Sequence, residues 1–92
     1  VLAEGEAEFE VGRYPAAKQA FLALESESRA WKEPARAEYA LYRGLTHEAL
    51  GDGARALPWL MEAKALDDAR PGTLSAENAG RLREGLRTLE ER

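Results

Sequence analysis

At 92 residues the chain has room for one small domain, and it is too short for a barrel or doubly wound enzyme of about 200 residues or more. Seventeen acidic against 13 basic side chains give a formal charge of −4, which excludes a basic field for a phosphate backbone or an anionic leaflet, so neither nucleic acid nor membrane insertion is expected. With no Cys and one His, disulfides, thiolate chemistry and the common zinc sites are excluded as well.

The apolar residues are 18 Ala and 13 Leu with only 2 Val and no Ile, a mixture that favours helices over sheets and predicts an all-α fold. Five helices are expected in chain order. The first covers residues 2–11 and ends at Gly12, placed where a helix needs a left-handed residue. Pro15 opens the second, over 15–30, because its missing N–H is one a first turn leaves unpaired anyway. After the junction Trp31-Lys32-Glu33-Pro34, the third runs over 34–50. Gly51-Asp52-Gly53 turns the chain again, and Asp52 is placed to cap a fourth helix over 54–68. Pro58 inside that helix predicts a bent or 3₁₀-like first turn. Arg70-Pro71-Gly72-Thr73 ends it. Ser75 then caps a fifth helix over 75–91, in which Ala79, Leu82, Leu86 and Leu89 recur at spacings of 3, 4 and 3. Gly80 and Gly85 each weaken this helix by up to about 1 kcal/mol relative to Ala, so a neighbouring helix is expected to approach closely at both.

An internal repeat orders these elements. Leu2-Ala3-Glu4-Gly5, Leu41-Tyr42-Arg43-Gly44 and Leu82-Arg83-Glu84-Gly85 share the form Leu-x-x-Gly at offsets of 39 and 41 residues. The 39-residue offset also relates Gly12 to Gly51, Ala17 to Ala56, Phe21 to Leu60 and Leu24 to Ala63. Periods of this length are the mark of stacked helical repeats.

The pattern resembles the tetratricopeptide repeat, a helix-turn-helix unit with a small residue in helix A, a Gly at the turn and Ala-x-x-x-Phe in helix B. Ala17-Lys18-Gln19-Ala20-Phe21 matches the last element, and Gly44, Gly51-Asp52, Ala56, Leu60, Ala63 and Leu66-Asp67 fit the second unit. Departures are Glu4, Arg43 and Glu84 before the helix A Gly, Glu8 and His47 three residues after it, and Asp68 in place of a closing Pro. The resemblance implies a single domain over 1–92 of antiparallel hairpins stacked in a right-handed superhelix. Repeat 1 would cover about 1–31, repeat 2 about 34–68 and a capping helix about 75–91, within a longer protein. The Ala, Arg, Gly and Leu content suits a GC-rich bacterial genome, and no targeting segment is read, which leaves a cytoplasmic protein as the default.

The resemblance also implies a function, the binding of a partner's peptide or helix in a concave groove lined by helix A residues. Those are Leu2, Glu6, Phe9 and Glu10 in the first helix, Glu38, Leu41, Tyr42, Leu45 and Glu48 in the third, and Leu82, Arg83, Leu86 and Leu89 in the last. An apolar strip with an acidic rim calls for a partner that is apolar with Lys or Arg. The other reading of Leu41, Leu45, Leu82 and Leu86 is helix-on-helix packing. At the positions of the family's clamp for a terminal carboxylate stand Leu2, Glu6, Tyr42, Ala79 and Arg83; only Arg83 is cationic, which disfavours that ligand.

Arg43 and His47, four residues apart, either bind an anion or tune each other's protonation, or make ordinary contacts with Glu8 or Glu38. Trp31 and Trp59 are either partner contacts or packing residues. Glu25 with Glu27, and Glu90 with Glu91, fall on expected exposed ends, where nothing would raise one pKa for general acid catalysis. No enzyme, cofactor or metal site is expected. The alternative function is structural, self-association or stacking through the terminal helix with Leu82, Leu86 and Leu89.

Overall fold

Among residues 2–91, which the computed structural model describes, six helices form and no strand does; the expected repeat limits Val1 and Arg92 lie outside the described residues. The helices are α1 (Ala3–Glu10), α2 (Tyr14–Ala23), α3 (Glu25–Ser28), α4 (Ala35–Ala49), α5 (Gly53–Ala69) and α6 (Ala76–Glu90). The fold is all-α, as the composition predicts. The count is six and not five because the helix expected over 15–30 breaks at Leu24. There the Phe21 carbonyl accepts the Leu24 N–H at 3.0 Å, and at 2.8 Å it accepts the Tyr39 hydroxyl of α4. The diverted carbonyl ends α2, and α3 restarts the spiral with the Ser28 hydroxyl donating to the Glu25 carbonyl at 2.7 Å.

The local stop and start signals act as read. Gly12 and Gly51 turn the chain at φ of 82° and 81°, a left-handed conformation that a side chain disfavours. Asp52 accepts the Arg55 N–H and Ser75 accepts the Asn78 N–H, each at 3.1 Å, which satisfies a donor that a first helical turn leaves unpaired. The first turn of α5 is not 3₁₀-like at Pro58, since α5 stays α-helical from Gly53 to Ala69. The carbonyl deprived of its donor belongs to Ala54, and both Ala54 and Pro58 are exposed, so water can serve in place of the missing N–H.

Helices pair as two hairpins, α1 with α2 and α4 with α5. The second is antiparallel, for Arg36 near the start of α4 donates to Glu62 in the latter half of α5 at 2.9 and 3.3 Å. Both hairpins close on a glycine. A β-carbon on Gly5 would lie 2.5 Å from Phe21 Cε1, and one on Gly44 would lie 2.5 Å from Leu60 Cδ2. These pairs are related by the same 39-residue offset read in the sequence, so the repeat is one helix crossing made twice. Gly85 behaves differently. Its absent β-carbon would meet Leu45 Cδ2 at 3.1 Å and Leu60 Cδ1 at 3.3 Å, so the third Leu-x-x-Gly packs back on the preceding hairpin. At Gly80 the expected close helix is missing, and the nearest atom is Nη2 of Arg83, one turn along α6, at 3.7 Å.

Two buried clusters result. Leu41, Leu45, Leu60, Ala63, Leu74 and Leu82 join α4, α5 and α6. Ala17, Phe21, Tyr39 and Tyr42 join α2 to α4, with Trp31 and Trp59 set edge-on to the Tyr39 ring at 5.6 and 5.7 Å. At the joint between hairpins lies Arg43, only 6% exposed. Its Nη1 donates to Glu25 Oε1 at 2.8 Å and to the Tyr39 hydroxyl at 2.9 Å, while its guanidinium stands 4.5 Å from the Trp59 ring centroid. A charge so deep requires such partners, because leaving it unpaired would be costly.

Opposite signs are expected for two glycine substitutions measured by chemical denaturation. Gly80→Ala gains up to about 1 kcal/mol from helix propensity. Gly5→Ala loses about 1–3 kcal/mol by overpacking on the fully buried Phe21 ring. Tyr39→Phe leaves the Phe21 carbonyl and Arg43 each short of a partner and should lose about 1–3 kcal/mol; a loss near zero would contradict the account of the α2 break.

Candidate partner-binding face

One face of the molecule is built from α1, α4 and α6. The Phe9 ring of α1 stands perpendicular to the Tyr42 ring of α4, with centroids 5.5 Å apart, and is held on its other side by Tyr14 at 5.3 Å. From α6, Arg81 Nη1 donates to the Tyr42 hydroxyl at 2.8 Å and to Glu10 Oε1 at 3.0 Å, while Nη2 donates to Glu10 Oε2 at 2.9 Å. This bidentate, charge-assisted pair clips the last helix to the first across Tyr42. Its hydrogen bond to Glu10 holds the Arg81 pKa above the ordinary arginine value. Burial pushes the Tyr42 phenol up; Arg81 opposes that, and Glu6, Glu10 and Glu38 reinforce it.

Beside this clip, Glu6 of α1 meets Glu38 of α4. The Glu6 carboxyl is pushed up to about 8, by burial first, then by its hydrogen bond with Glu38 and by repulsion from Glu38 and Glu10. At neutral pH the Glu6 carboxyl therefore keeps its proton, beside Glu38. Where α1, α4 and α6 converge, a cavity of about 300 Å³ opens, lined by Phe9, Leu45, Glu48, Arg81, Glu84, Gly85 and Thr88.

The residues expected in a groove divide between this face and other places. Glu6, Phe9, Glu10, Glu38 and Tyr42 come together across α1 and α4, and Leu45 and Glu48 line the cavity. Leu41 and Leu82 do not belong to a groove: Leu41 has no exposure and Leu82 lies in the same core cluster, since α6 settles closely on α4 and α5 and covers both. Leu2 caps α1 and packs against the aromatic cluster. Arg83 is exposed and makes none of the contacts of the face; Arg81 takes that part instead. Two positions on a helix differ by about 200° in direction, so one wrong choice of register moves a side chain to the other side. Leu86 and Leu89 are half-buried along α5, outside this face.

Arg43 and His47 offer no site for an anion, because both are buried, and the acidic partner of Arg43 is Glu25 in place of Glu8 or Glu38. Arg43 does act on His47: burial, and then Arg43, with Nη2 at 3.4 Å from His47 Nε2, hold the His47 pKa below 6.5. Trp31 and Trp59 are packing residues of the Tyr39 cluster. Missing from the sequence reading were Arg81, Glu84 and Thr88, and also the pairing of Glu6 with Glu38. The polar positions Glu77, Arg81, Glu84 and Thr88, spaced 4, 3 and 4 residues apart, form one stripe of α6 and were the available signal.

Comparison of the chain with protein-family models, with curated proteins and with solved structures gives no match. Among the described residues no helix is long and apolar enough to cross a membrane.

The Glu6 pKa has a consequence for stability. In the unfolded chain Glu6 titrates near 4.5 and in the folded chain at about 8, so the folded state holds more protons between those values. Its contribution is complete below pH 4.5 and is lost as pH rises through 8. Glu6→Gln keeps a neutral donor, so its Tm relative to the unsubstituted chain should climb between pH 5 and pH 9. His47 titrates in both chains and cancels from the comparison. A difference independent of pH would refute the retained proton.

Proposed function

We propose that the chain is a tetratricopeptide-type interaction module that seats a helix or extended segment of a partner protein in the cavity between α1, α4 and α6. The observation that carries this reading is the convergence, on one concave site, of the first helix of each hairpin with the terminal helix. The twice-made glycine crossing at Gly5 and Gly44 supports the repeat character of the scaffold. Phe9 and Leu45 supply apolar wall, and Gly85 brings bare backbone to the floor, so an apolar anchor can enter. Glu48 and Glu84 add acidic rim. Glu84 is engaged by Arg87 at 2.7 Å, an exposed pair of adjacent turns worth little, which an incoming cation can exchange. The partner is thus an apolar side chain flanked by Lys or Arg, and the reading assigns the chain no catalytic role and no cofactor.

Site-specific photo-crosslinking in the source cell tests this. A photoreactive residue at Thr88, at the cavity, should capture a protein partner, while one at the exposed Ser26 of α3 should not. With the captured partner in hand, Glu48→Lys combined with Glu84→Lys should weaken affinity about tenfold or more and flatten its dependence on salt. Capture of nothing from Thr88, or equal capture from Ser26, would overturn the assignment.

A further inference from the structure

The fifth helix is apolar on two sides, and the fold covers only one of them. Ala56, Leu60 and Ala63 are buried, whereas Ala54, Leu57, Met61 and Ala65 form a second stripe at spacings of 3, 4 and 4 that stays exposed along its length. Leu57 is 46% exposed and Met61 50%. Leu86 and Leu89 of α6 complete a groove of about 360 Å³ beside this stripe, and it shares no residue with the cavity between α1, α4 and α6. Helices α5 and α6 cross near Leu60 and Gly85 and run antiparallel, which sets Lys64 toward one end of the groove and Glu90 toward the other.

We propose that this groove is an interface between two copies of the chain, related by a two-fold axis at Met61 that lays α5 antiparallel on α5. An isologous contact must complement its own inverse, and this one does so in size and in charge. Met61 meets Met61 at the axis. Leu57 and Ala65 each stand four residues from it, so the large side chain of one copy faces the small one of the other, twice. Inversion also brings Lys64 of one copy to the end where the other carries Glu90, and opposite charges meet twice. Within one copy Lys64 rests on Asp68 at 2.6 Å, an exposed pair from which the long side chain can swing to the interface.

The natural absence of Cys makes a geometric test clean. Sedimentation of the unmodified chain should show a concentration-dependent dimer, and Met61→Glu, with helicity checked by circular dichroism, should raise its dissociation constant by about a hundredfold or more by facing like charges across the axis. Under mild oxidation Met61→Cys should give a covalent dimer, while Ala54→Cys should not, since its two copies lie at opposite ends of the contact. Lys64→Glu should weaken association and added Glu90→Lys should restore it. A chain monomeric at every concentration overturns the proposal, whether or not another protein fills the groove. A dimer that survives Met61→Glu, or that cross-links as readily through position 54 as through 61, overturns it as well.

Discussion

Leu60 is held between two glycines. Its Cδ2 lies where a β-carbon on Gly44 would project, and its Cδ1 lies 3.3 Å from the β-carbon that Gly85 lacks. On the Gly44 side Leu60 Cγ would stand 2.6 Å and the backbone nitrogen 3.1 Å from that β-carbon, so turning away the Cδ atoms alone would not make room there. One side chain therefore sets the separation of α4 from α5 and of α6 from both. The arrangement of the site follows from this spacing. With α6 drawn onto α4, Arg81 reaches Tyr42 and Glu10, Leu41 and Leu82 are sealed, and the cavity opens where Gly85 leaves backbone uncovered.

The first hairpin is joined to this unit by a different chemistry. Its latch is polar and aromatic: Arg43 on Glu25, Tyr39 on the Phe21 carbonyl, Phe9 on Tyr42 and Arg81 on Glu10. Buried charge is tolerated at Arg43 because Glu25, Tyr39 and Trp59 replace part of the water it loses, although its Nε is buried without a hydrogen-bond partner, and because His47 beside it is kept neutral. The hydrogen bond from Arg43 in turn holds the Glu25 carboxyl below its ordinary value. Glu6 and Glu38 lie on the same joint, so the contact between α1 and α4 is sensitive to pH.

Features that depend on a few neighbouring residues were legible in the chain. Gly12, Gly51, Asp52 and Ser75 mark helix ends through local geometry and local hydrogen bonds, and each does so in the structure. The break at Leu24 was not legible because its cause, the Tyr39 hydroxyl, arrives from another helix. Pro58 does not make the first turn of α5 3₁₀-like, because water can serve the exposed carbonyl of Ala54. Glu6, Phe9, Glu10, Glu38 and Tyr42 were legible together only through the resemblance to the tetratricopeptide repeat, and the structure brings them together across α1 and α4. Arg81 was not legible, because Gly85 turns toward the preceding hairpin and the Leu-x-x-Gly match then misassigns the rotation of α6.

The central claim is that Leu60 sets helix separation through the glycines that face it, and a double-mutant cycle between Gly44→Ala and Leu60→Ala tests it most directly. Helix propensity alone would make Gly44→Ala stabilising by up to about 1 kcal/mol in either background. Packing against Leu60 instead makes it destabilising in the unsubstituted chain and much less so once Leu60→Ala has removed the Cγ and Cδ atoms that stand 2.6 and 2.5 Å from the added β-carbon. The predicted coupling is about 1–3 kcal/mol, with the double substitution less damaging than the sum of the two. Additive effects, with Gly44→Ala stabilising in both chains, would contradict the account.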